Sequence, residues 1–198
     1  MGKLSRILVA IGSISLMLMF FFPIWSINLE APQFPEGIGL RIHLNTIKGE
    51  KPNDVASINN LNHYIGMKQI IPESIPELKF MPYIIIGLIG FGLLSSIIGK
   101  KSILAIWLVL FIGLGIAGMV DFYNWEYDYG HNLDPHAIIK IEGMNYQPPL
   151  VGTKQLLNFT AHSMPDVGAY SALFAIGIGM TALFIGDKKN KYTVPKGL

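Results

Sequence analysis

Four apolar runs divide the chain: Ile7–Ile27, Phe80–Ile98, Ile103–Val120 and Val167–Gly186. A helix needs ~20 mostly apolar residues to cross a bilayer core. None of the four runs holds an acid or a base. Lipid offers no partner to a free backbone, so the pattern predicts four membrane-spanning helices. Between them lie two longer mixed segments, 28–79 and 121–166. Both are rich in proline (Pro32, Pro35, Pro52, Pro72 and Pro76; Pro135, Pro148, Pro149 and Pro165). They also hold apolar stretches, Ile58–Ile71 and Ala137–Ile141, that disordered linkers lack. The two loops are therefore expected to fold together as a cap, with short strands at Ile42–Asn45 and Ala137–Ile141 and a helix at Ser57–Lys68. The expected fold class is an all-α membrane protein: one unit over residues 1–198, with four transmembrane helices and a mixed, proline-rich periplasmic cap.

Charge orients this arrangement. Residues 1–6, 99–102 and 187–198 hold eight of the fifteen basic residues and one acid, and the two loops hold the other twelve acids. Lys and Arg near span ends stay cytoplasmic, so both termini and the Gly99–Ser102 turn are expected inside and both loops outside, as in a bacterial inner-membrane protein. Lys3 and Arg6 before an apolar run resemble a signal peptide, but the run is long, ends in Phe22-Pro23-Ile24-Trp25, and no small-x-small site follows. It reads as a retained anchor. The basic ends suit lipid headgroups, and nothing suggests nucleic-acid binding.

Small residues mark expected helix contacts: Gly87, Gly90 and Gly92, the pair Gly113/Ala117, and the pair Ala175/Gly179. Spans without ionisable groups argue against a proton pump or an ion-coupled transporter. Aromatic residues at the outer span ends, Phe20–Phe22 with Trp25 and Phe122–Tyr129, read as an interfacial belt or as a wall over a surface site. Met81-Pro82 and Met164-Pro165 suggest a weak twofold repeat that would place the two methionines at equivalent outer positions.

The chain has no cysteine, so disulfides and thiolate metal sites are excluded. Soft metal ligands would have to be His or Met. On a helix, His63 and Met67 would share a face, a pairing that suits Cu(I); packing roles serve them equally. The run Trp125–His136 is the densest polar stretch, with His131, His136 and three carboxylates. It reads either as a solvated tyrosine-rich loop or as a metal or partner surface. His162 and Met164 would face the same way on an extended segment, and Met144 adds a thioether. His63, Met67, His131, His136, Met144, His162 and Met164 are thus the candidate copper ligands. No phosphate loop, nucleophile elbow or HExxH occurs, so no enzymatic activity is expected.

The blocks Leu61-Asn62-His63-Tyr64-Ile65-Gly66-Met67-Lys68, Pro72–Lys79, Trp125–Pro135, Tyr146–Leu150 and Gly152–Phe159 resemble a poorly characterised family of small bacterial four-span membrane proteins. The family is associated with gene clusters for nitrous-oxide reductase maturation. It offers no catalytic motif, so no residue role carries over. What the resemblance implies is an accessory role in periplasmic copper handling, with a copper chaperone, a maturation complex or the reductase as partner. The alternative is a metal-free structural or docking subunit of a larger inner-membrane complex. A haem-bearing redox subunit is disfavoured, because no histidine lies within a span.

Overall fold

The computed structural model describes residues 1–185. Gly186, expected to end the fourth span, and the basic tail 187–198 lie outside the described residues. Helix α1 (Lys3–Ser15) continues as a 3₁₀ turn, Leu16–Phe20. Strands β1 (Trp25–Ala31), β2 (Phe34–Ile42) and β3 (Ile47–Gly49), helix α2 (Asp54–Ile65) and a 3₁₀ turn at Pro72–Ser74 follow. The long helices α3 (Glu77–Ile98) and α4 (Lys101–His131) come next, then strands β4 (Gly152–Leu156) and β5 (Phe159–Pro165), and finally helix α5 (Val167–Ile185). Four helical segments are long and apolar enough to cross a membrane: Lys3–Phe20, α3, α4 and α5.

The all-α expectation is wrong. The two loops build one five-stranded antiparallel sheet in the order β3-β2-β1-β5-β4. Its central strand, β1, pairs with β5 from far along the chain: Ile27 pairs with Ser163 and Asn28 with His162. The strands alternate with period two. Ile27, Ala31, Ile38, Leu40, Ile42 and Ala161 are buried on one face, whereas Asn28, Glu30, Arg41, His162 and Met164 occupy the other. The first apolar run is also shorter than its hydropathy suggests. Pro23 follows the helical segment, and Trp25, Ser26 and Ile27 belong to β1.

Three local expectations are also corrected. Ala137–Ile141 is irregular rather than a strand, and Ile42–Asn45 contributes only the last residue of β2. The cap helix starts earlier and stops at Ile65. Gly66 there adopts φ +81°, and the Met67 N–H reaches back to the Asn62 carbonyl at 2.9 Å, a Schellman-type stop. The repeat also fails. Met81 lies in helix α3 and Met164 in strand β5.

The apolar helices close a ring: α1 packs on α3 and α5, and α4 on α3 and α5. Trp107 is fully buried there and donates its indole N–H to the Leu88 carbonyl at 2.8 Å. Of the small residues, Gly92 lies against Ser13 and Trp107, Gly179 against Trp107 and Leu108, and Ala175 beside Gly12. Gly87, Gly90, Gly113 and Gly118 have nothing close to them. At the far end of the bundle, Arg6 donates to the carbonyls of Ser96 and Ile97. These are final carbonyls of α3, where a cation offsets the helix dipole. Part of the basic charge at that end is therefore structural.

Helix α4 positions the site. Its 31 residues span about 46 Å at 1.5 Å each, well beyond a hydrocarbon core of ~30 Å. No glycine or proline occurs between Val120 and Gly130, so the helix continues for three more turns. Phe122, Trp125 and Tyr129 on those turns pack against the inner sheet face with Ile27, Leu40 and Ile58. The Lys68–Asp128 ion pair at 2.5 Å and the Tyr129 hydroxyl donating to the Gln69 carbonyl tie them to the segment after α2.

Candidate functional site

A cavity of about 370 Å³ lies between the inner sheet face, α2, the projecting end of α4 and the loop 132–150. Its walls are nearly all apolar: Ile27, Leu29 and Leu40 from the sheet, Ile58 and Leu61 from α2. The size falls in the range of small-molecule sites, ~300–1,000 Å³. The two hairpin turns, β1–β2 and β4–β5, stand over one end. Asn158 donates to the Gln33 side chain at 3.0 Å across them, and Phe34 meets Phe159 at 6.4 Å. Leu157 lines this end in a left-handed conformation, φ 56°, which a branched side chain seldom adopts. These turns lie about six residues along β1 and β5 from the strand ends that join the bundle, roughly 20 Å at ~3.3 Å per residue. Tyr64 and Leu157, which both line the cavity, are about half exposed.

Glu126 lines the wall opposite the sheet. It is fully buried, and both carboxylate oxygens lack a hydrogen-bond partner among the described residues. Burial raises its carboxyl from 4.5 to about 8, because a charged carboxylate is poorly solvated there. The Tyr146 hydroxyl is also buried without a partner, and Tyr146 lines the same cavity. Buried polar groups are almost always satisfied in folded proteins. With the Trp125 indole N–H, three such groups line a single apolar cavity, and each is open to a partner from a ligand or from water.

The residues expected to bind metal are distributed differently. His63 is exposed on α2, edge-on to the Tyr64 ring at 6.0 Å. Met67 lies beyond the helix stop and lines the cavity, so the expected helical alignment of this pair does not form. His131 stacks on Tyr127 at 4.0 Å, its Nδ1 3.2 Å from the Tyr127 carbonyl. His136 is exposed, with Nδ1 3.4 Å from Asp134. Met144 lies in the loop 132–150. His162 and Met164 do share one face of β5, as expected. The Nδ1 of His162 lies 2.8 Å from the Thr153 hydroxyl, and its Nε2 lies 4.0 Å from Glu30. Among the described residues, no group of three or more His, Cys, Asp or Glu side chains converges on one point.

The sequence reading missed Glu126 by treating 121–166 wholly as loop. A signal was present: Phe122, Trp125, Glu126 and Tyr129 recur at helical spacing, which puts the acid on the packed face. No protein-family model and no curated protein matches the chain.

Proposed function

We propose that this is a membrane-anchored binding protein whose cap holds one largely apolar small molecule. The observation that carries the reading is Glu126, fully buried with both oxygens unpartnered in the wall of an apolar cavity. The four apolar helices anchor the site and brace α4. The basic turn Lys100–Lys101 lies at the opposite end of the bundle from the cap, so positive-inside orientation puts the cap outside the cytoplasm. A ligand then enters from the aqueous side and meets Glu126 and Tyr146. N-phenyl-1-naphthylamine, a neutral fluorescent probe, tests this with the full-length protein in lipid nanodiscs. Saturable binding at one site is expected, lost when Leu61→Trp fills the cavity. Signal that only matches partitioning into empty nanodiscs removes the reading.

A second reading retains a copper role at a smaller site. His162 and Met164 lie on one face of β5 with Glu30 beside the imidazole, and an imidazole with a thioether suits Cu(I). In this reading the outer sheet face passes copper to a partner in enzyme assembly. Anaerobic Cu(I) titration decides it: stoichiometric binding lost in His162→Ala and Met164→Ala supports it, and binding unaffected by both substitutions eliminates these ligands.

A further inference from the structure

The chemical class of the ligand follows from what the cavity wall lacks, given the small-molecule reading above. Among the described residues, Glu126 is the one acid in the lining, and no Lys, Arg or His joins it. A buried carboxylate without a counter-ion is costly. An anionic ligand would find no cationic side chain in the wall to pair with, and one carboxylate is too few for a divalent ion. The same wall carries aromatic rings: Trp125 and Tyr129 from α4, Tyr64 from α2, Tyr146 and Phe159 from the loop and hairpin. Ring faces attract cations, more strongly where water is excluded.

We propose that the cavity takes a hydrophobic organic monocation, of the ammonium type, with its charged centre at Glu126 and its apolar body against Ile27, Leu40 and Ile58. Glu126 and the aromatic rings then complete a charge-and-ring cage that the ligand itself neutralises. The empty site avoids an orphan charge, because burial holds the Glu126 carboxyl protonated up to about pH 8. Cation binding displaces that proton, so one proton leaves as one positive charge enters. Other titratable groups facing the space are the phenols of Tyr64, Tyr129 and Tyr146; the sheet contributes none.

The test uses methyltriphenylphosphonium, whose charge is fixed at all pH values, and its neutral isostere 1,1,1-triphenylethane. Both are titrated into the full-length protein in nanodiscs of zwitterionic lipid. The phosphonium should bind at least about tenfold tighter than the isostere. Its affinity should rise with pH, by up to about tenfold per unit, and level off above about pH 8 as Glu126 ionises unaided. Glu126→Gln should abolish both the preference and the pH dependence, with the variant's thermal unfolding midpoint showing that it has folded. An isostere that binds as tightly as the phosphonium, or an unchanged phosphonium affinity in Glu126→Gln, overturns the cation assignment and leaves the small-molecule reading standing. Saturable binding of neither probe overturns both.

Discussion

The backbone N–H of Tyr146 donates to the carbonyl of Gly130 at 2.9 Å, joining the loop 132–150 to the last turn of α4. The two segments approach so closely that a β-carbon on Gly130 would lie 2.5 Å from the Gln147 Cα. That contact sets Tyr146 in the cavity wall near Glu126. Its neighbour is backbone and cannot rotate away. Gly130→Ala should therefore displace the loop, costing about 1–3 kcal/mol as overpacking does, and should weaken probe binding. Unchanged thermal unfolding and unchanged binding would show that the loop is not held there.

Glu126 makes stability depend on pH in an unusual direction for an acid. Its folded pKa is raised to about 8 from 4.5, so the folded state binds more protons between these values. Stability is greatest below about pH 4.5 for this group's contribution, falls as pH rises, and levels above about pH 8. The slope is at most about 1.4 kcal/mol per pH unit. Unfolding midpoints of ligand-free protein should decline across that window, and Glu126→Gln should flatten the decline. A slope that is the same in both proteins would assign the pH dependence elsewhere.

Asp54 joins the sheet to α2. Its Oδ2 accepts from the N–H of Gly39 at 2.9 Å and from that of Lys51 at 3.0 Å. Asp54→Ala strands a buried donor and should cost about 3 kcal/mol. Asp54→Asn keeps an oxygen in place and should cost less. Denaturant titration of both variants checks the order, and equal losses would contradict it.

The bundle gives a paired test among glycines of α3. A β-carbon at Gly92 would lie 3.0 Å from both Ser13 Cβ and Trp107 Cε2, while nothing stands within 4 Å at Gly87 or Gly90. Gly92→Ala should destabilise by about 1–3 kcal/mol. Gly87→Ala and Gly90→Ala should be neutral or slightly stabilising, since alanine is the better helix former. Thermal unfolding of the three variants measures the contrast.

The apolar helices were legible because hydropathy is local: a span needs only its own residues to be apolar. The sheet was legible in part. Ile38, Leu40 and Ile42 alternate with Gly39 and Arg41, yet β1 was hidden because Trp25 and Ile27 extend an apolar run and Pro23 is the sole break before them. The pairing of β1 with β5 was not legible, since it links residues 138 apart, such as Trp25 and Ser163, whose indole and hydroxyl meet at 2.8 Å.

From the sequence alone came the four apolar segments, the cysteine-free chemistry and the concentration of acids and histidines in two regions, because each depends on composition within a window. Tertiary structure decided where the candidate chemistry lies. His63, Met67 and His131 carry metal-capable groups by type, but their direction depends on a helix stop at Gly66 and on stacking against Tyr127. Glu126 looked like one acid among several. It became distinctive because α4 runs beyond the apolar core and the sheet closes over it, so that a carboxyl group is removed from water without a partner. Burial is a property of the assembled chain, and here burial sets the chemistry.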